Sequence, residues 1–187
     1  EISCSLVGSE MCIRDRHYTE VGVGFSKMCL TPMLEYGRQA LEDNKKGVAT
    51  EALEQVALAI VVTTAIVSIF LTRDFTPDYN SGLAHACFYA LTAYPVIEKE
   101  HLHGEVVGFG VLYALLVDGQ QEEFKKIYAL NKELGLPVRI ADIGITEEQF
   151  FETMDRIPQM SDIRHYPYAV TKEMLMQAYE MIEQLSV

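Results

Sequence analysis

Seventeen consecutive residues without a charge, Val56 to Thr72, limit what this chain can become. Their length sits at the lower edge of what crosses a bilayer. The run contains Thr63, Thr64 and Ser68 and has no flanking aromatic belt. A helix enclosed on all sides within a helical lobe is therefore expected in place of a membrane span. With 49% of its residues apolar, the chain has the material for such a core.

The neighbouring segments also read as helix. Phe25 to Asp43 carries Met28, Cys29, Met33, Leu34 and Leu41, then stops at Lys45-Lys46-Gly47, as basic residues and glycine suit a helix C-terminus. Thr50 to Thr72 is one long helix, and Arg73 to Ser81 holds the loop residues Pro77, Asp78 and Asn80. Gly82 to Ala93 predicts a short helix of small residues, and Tyr94 to His101 a connection containing Pro95. Gly104 to Val117 is apolar nearly throughout, and Gln121 to Leu134 is amphipathic and stops at Gly135. Thr146 with Gln149 forms a capping box, and Thr171 can cap the last helix. No segment alternates as a strand does, so the fold class is all-α.

The formal charge of −12 argues against nucleic acid, which needs a basic face. Cys4, Cys12, Cys29 and Cys87 show no metal-type spacing, and reduced thiols in a cytoplasm are expected. Residues 1–16 have no helical or strand period and resemble a translated sequencing adapter, so they are set apart from the fold. Without them the charge is −11, because three acidic and two basic residues leave. On this reading residues 17–187 form a helical domain incomplete at its N-terminus, the upstream part of the gene is missing, and residues 1–16 do not pack on the lobe.

Two histidines stand out for chemistry. His85 lies in Gly82-Leu83-Ala84-His85-Ala86, and His103 lies in His103-Gly104-Glu105-Val106-Val107-Gly108-Phe109-Gly110. Each falls near a predicted helix start, and imidazoles from adjoining helices are common transition-metal ligands. Histidines so spaced are also ordinary surface or core residues, and the residues alone leave both readings open. His101 reads as a solvent-facing loop residue. Glu105 could orient a ligand or cap its helix. His165 beside Tyr166 and Tyr168 could line a cleft or simply pack. Cys29 and Cys87 read as small core residues, and Asp118 as a helix end.

The two histidine motifs resemble those of the glycerol dehydrogenase branch of the iron-containing alcohol dehydrogenase family. Leu134-Gly135-Leu136-Pro137 before Asp142-Ile143-Gly144, and Leu34-Glu35-Tyr36-Gly37 before Lys45-Lys46-Gly47, fit the same branch. The resemblance covers residues 17–187. It implies a nucleotide-binding α/β domain followed by an all-helical domain, with the active site between them. It also implies a divalent metal, zinc ahead of iron, held by an Asp and by His85 and His103. The metal would bind an alcohol oxygen while hydride passes to NAD. The implied substrate is a small polyol, and a homo-oligomer is expected for the full-length protein.

The departures are specific. The G-D-x-x-A segment that carries the family's Asp is absent, and Val21-Gly22-Val23-Gly24 is no G-x-G-x-x-G loop, so no residue is assigned to NAD. This chain alone is expected to be inactive and to expose an apolar strip. A dehydroquinate synthase-like lyase shares the fold but carries a further histidine where this chain has Ser81. The spacing of His85 and His103 favours the glycerol branch over the iron-dependent alcohol dehydrogenases proper. A non-enzymatic helical interaction module would explain the helices but not the paired motifs.

Overall fold

The computed structural model describes residues 17–71 and 81–185, with the side chains of 17–19 excepted. Among the described residues there is no strand, as expected for an all-α chain. The expected adapter segment 1–16 and the loop 73–80 lie outside the described residues.

Helix α1 spans His17–Lys46 and contains Pro32. Proline has no N–H, so the carbonyl of Met28 loses its donor four residues on; Met28 is exposed, and water can serve it. Helix α2 spans Glu51–Leu71, with a π-helical stretch at Ala59–Thr63. The hairpin between them is pinned by a buried carboxylate. Thr50 Oγ1 donates to Asp43 Oδ2 at 2.6 Å, and Gln39 Nε2 donates to Oδ1 at 2.7 Å. Thr50 also caps α2, accepting the Leu53 N–H at 3.3 Å.

The enclosure expected for the uncharged run is corrected here. Ala59, Val67 and Leu71 are buried, with Val67 and Leu71 packing beside Cys29. Leu58, Ile60, Val61, Val62 and Ile69 are exposed, Val61 to 69% and Ile69 to 70%. Helix α2 remains long and apolar enough to cross a membrane by length and composition. The reason for the exposure is geometric: α2 packs chiefly on α1, and the side turned away from α1 stays exposed.

The larger core is built by α3 (Gly82–Leu91), α5 (His103–Val117), α7 (Glu147–Arg156) and α8 (Lys172–Gln184). Helix α5 is buried on nearly all faces, which explains its lack of amphipathic period. Phe150 meets Phe109 and Tyr113 edge to face at its centre and Phe109 is tilted against Tyr113, with ring centroids 5.0–5.9 Å apart. Helix α6 (Gln121–Leu134) is amphipathic and ends on left-handed Gly135. Leu30 of α1 packs on this core, and Arg38 of α1 pairs with Glu133 of α6. The connection expected at residues 94–101 is in part a helix, α4 (Pro95–Glu100). Proline stands at its first turn, where the missing N–H costs nothing.

Candidate metal-binding site

Helix α3 begins on Gly82, whose φ of 62° is open to glycine at little cost. The next residue, Leu83, donates its N–H to the Tyr166 hydroxyl at 3.3 Å. The C-terminal segment thus ties down the turn that carries His85. His85 is 8% exposed, and its Nδ1 lies 3.0 Å from the Ser81 carbonyl oxygen. A carbonyl can only accept, so the neutral ring carries its proton on Nδ1 and presents a lone pair at Nε2.

Helix α5 brings His103 alongside. The two helices touch backbone to backbone where Gly110 faces Ala84. A Cβ placed at Gly110 would stand 2.5 Å from the Ala84 carbonyl oxygen and 3.0 Å from its Cα, closer than any side chain tolerates. His85 follows Ala84, and His103 opens α5 at the exposed end. The rings of His85 and His103 have centroids 5.3 Å apart and planes inclined by 44°. Phe88 meets His103 edge-on at 4.4 Å, and Tyr89 stands 6.2 Å from His85. Among the described residues no group of three His, Cys, Asp or Glu side chains gathers as a metal set would.

Around this pair the other candidates separate. Glu105 caps its helix: Oε2 accepts the Leu102 N–H at 3.1 Å. His101 is not the solvent-facing residue expected. Its side chain is 15% exposed, with Nδ1 3.6 Å from Glu105 Oε2. It borders a cavity of about 570 Å³ formed with Tyr128, Lys132, the 135–139 turn and Asp142. His165 is exposed; the aromatic that reaches the site is its neighbour Tyr166. Cys29 and Cys87 are buried thiols, and burial pushes the Cys29 thiol up, against a smaller opposing effect of Thr64. Asp118 ends α5 and accepts the Tyr168 hydroxyl at 2.9 Å.

No protein-family model matches the chain. A glycerol dehydrogenase of Escherichia coli is 30% identical over 134 residues, which are 70% of this chain and 33% of that protein. A glycerol dehydrogenase of Thermotoga maritima is 28% identical over 158 residues, 79% of this chain and 40% of the relative. The chain thus spans well under half the length of these relatives. A crystal structure of glycerol dehydrogenase from Schizosaccharomyces pombe superposes with a TM-score of 0.76 at 21% identity, covering 99% of this chain and 49% of that one. The chain is a glycerol dehydrogenase homologue. The superposition establishes that its helices share the fold of that structure. Phe88, Tyr89 and Gly110 frame the two histidines in this homologue without having stood out in the sequence for that role. Gly110 was visible only as part of the second motif, and its partner Ala84 only as a small residue beside His85.

Proposed function

We propose that this homologue is the metal-binding helical part of an NAD-dependent polyol dehydrogenase, with His85 and His103 as two ligands of one divalent ion. The separation of the two rings carries the reading. For nitrogen–metal bonds of about 2.0–2.1 Å and a near-tetrahedral angle, two imidazole centroids stand roughly 5 Å apart. The observed 5.3 Å agrees with that requirement. The Ser81 carbonyl adds support by holding His85 in the tautomer that offers Nε2. Zinc is placed ahead of iron, since imidazole suits both and zinc favours four-coordinate sites. The ion would supply Lewis acidity toward an alcohol oxygen, with NAD as the hydride acceptor the family reading implies.

The chain's own residues position the ligands. Gly110 against Ala84 sets the spacing of the helices, Tyr166 anchors the first turn of α3, and the edge of Phe88 restrains the His103 ring. The domain reading follows: residues 17–187 supply the helical domain, and a nucleotide-binding domain with a carboxylate ligand completes the enzyme. Cys29 and Cys87, buried and outside any disulfide among the described residues, accord with a cytoplasmic setting. The lyase reading gains nothing, because Ser81 supplies a backbone carbonyl where a further imidazole would be needed.

Cobalt is the direct probe, as its visible absorption reports the ligand field. The chain should bind Co²⁺ and release it to Zn²⁺, and His85→Ala or His103→Ala should weaken binding by about tenfold or more. Equal affinity in both variants and the parent would remove the metal assignment. Joined to the upstream half of a related glycerol dehydrogenase, the chain should support metal-dependent NAD reduction with glycerol. The 187-residue chain alone should show none.

A further inference from the structure

Thr50, Thr146 and Thr171 each precede a helix in extended backbone, and each hydroxyl accepts an N–H of the first turn. Ser81 holds the same place before α3 and behaves differently. Its φ of −110° and ψ of −58° are helical, and its side chain makes no capping bond. Gly82 follows at a φ of 62°. A cap on its own helix needs the extended backbone that Ser81 lacks. The N–H of Leu83, the second residue of α3, is one that a helix start leaves without an internal partner. The Tyr166 hydroxyl accepts it at 3.3 Å. A phenol from the C-terminal segment thus fills the place of an N-cap.

We propose that Tyr166 is a positioning residue for His85: by capping α3 it preserves the Ser81–Gly82 conformation whose carbonyl oxygen keeps the His85 proton on Nδ1. That oxygen lies 3.0 Å from Nδ1. Without the phenol, the nearest replacement cap is the Ser81 hydroxyl. To use it, Ser81 must become extended and Gly82 must take a helical φ. The Gly82 torsion carries the Ser81 carbonyl relative to α3, so the change moves the acceptor that holds the ring proton. The segment around Tyr166 is itself held at both ends. Ile163 and Val170 are buried in the larger core. Tyr168 donates to Asp118 at the end of α5 at 2.9 Å, and its ring meets that of Tyr166 at 86° with centroids 5.7 Å apart. Residues 163–170 therefore brace the first turn of α3 against the end of α5, the two helices that carry His85 and His103. The consequence for a bound ion rests on the proposed ligand role of His85: the proton on Nδ1 leaves Nε2 to coordinate.

The test is imidazole ¹⁵N NMR of the full chain, without metal and with the ring neutral. The His85 signals are assigned by their absence from His85→Ala. In the parent the two ring nitrogens should be widely separated in shift, as a single tautomer requires. Tyr166→Phe keeps the ring and removes the acceptor. It should bring the two shifts together, as in an exchanging pair of tautomers, and speed solvent exchange of the Leu83 amide about tenfold. Thr171→Ala, which loses a cap on α8, should lower the melting temperature and move neither signal, so plain loss of stability is told apart. A mixed tautomer in the parent, parent-like His85 shifts in a folded Tyr166→Phe, or an equal change in Thr171→Ala would overturn the proposal. Because the spectra are recorded without metal, failure of the parent to bind Co²⁺ would remove the metal assignment alone.

Discussion

Tyr113 packs between Phe109 and Phe150 in the larger core. Its hydroxyl is fully buried and has no hydrogen-bond partner among the described residues. Burial first, then the nearby Cys87, Glu183 and Tyr179, push its ionisation well above the ordinary tyrosine range. Tyr179 is also raised, by desolvation and by donating to Glu147 at 2.6 Å. A raised phenol favours the neutral form in the folded chain. That stabilisation is complete below about pH 10 and is lost as pH rises through the folded values. Of the ten tyrosines, these two should fail to ionise with the others in an ultraviolet titration and should ionise only with loss of helical ellipticity. All ten titrating together in an intact fold would contradict this. Because the Tyr113 hydroxyl is an orphan, Tyr113→Phe should leave the melting temperature unchanged or raised. Gly110→Val carries the opposite expectation. Forcing a branched side chain onto the Ala84 backbone should cost about 1–3 kcal/mol or more by thermal melting and should weaken cobalt binding. At this scale the sequence motifs single out His85 and His103, whose rings lie 5.3 Å apart, and their role as ligands belongs to the proposed function. The sequence was silent on Tyr166, because that residue acts on Leu83 from 83 positions away.

Helix ends carry their own signals, which is why the elements were largely legible. Gly135 is left-handed, Thr146 and Gln149 exchange the capping-box bonds, and Thr171 accepts the Met174 N–H. Pro95 was harder to read, since proline starts helices as readily as it interrupts them. The uncharged run was misread for a physical reason: periodicity says that a helix is apolar, but not how many neighbours it has. The α1–α2 hairpin offers an element-scale test. Thr50→Ala removes both the cap on α2 and a donor to buried Asp43. The expected cost is about 1–2 kcal/mol in denaturant unfolding. Serine at the same position should recover most of it, and a silent alanine variant would show that the hairpin closes by packing alone.

At the scale of the whole molecule, the exposed apolar side of α2 is expected to drive self-association. Contiguous apolar surface of several hundred Å² marks an interaction face, and Leu58, Val61, Val62 and Ile69 lie along one helix. Sedimentation should show concentration-dependent association, reduced by Val61→Lys with Ile69→Lys while circular dichroism is unchanged. A parent that stays monomeric at high concentration would contradict this. The site is organised differently from that surface. The close approach of Gly110 to Ala84 sets the helices that carry His85 and His103, and all four residues fall between the start of α3 and the end of α5. Closing so short a stretch of chain costs little entropy and is fast. The juxtaposition of the two imidazoles is consequently expected early in folding: it draws on residues 82–117 and can form before α6, α7 and α8 close over the core.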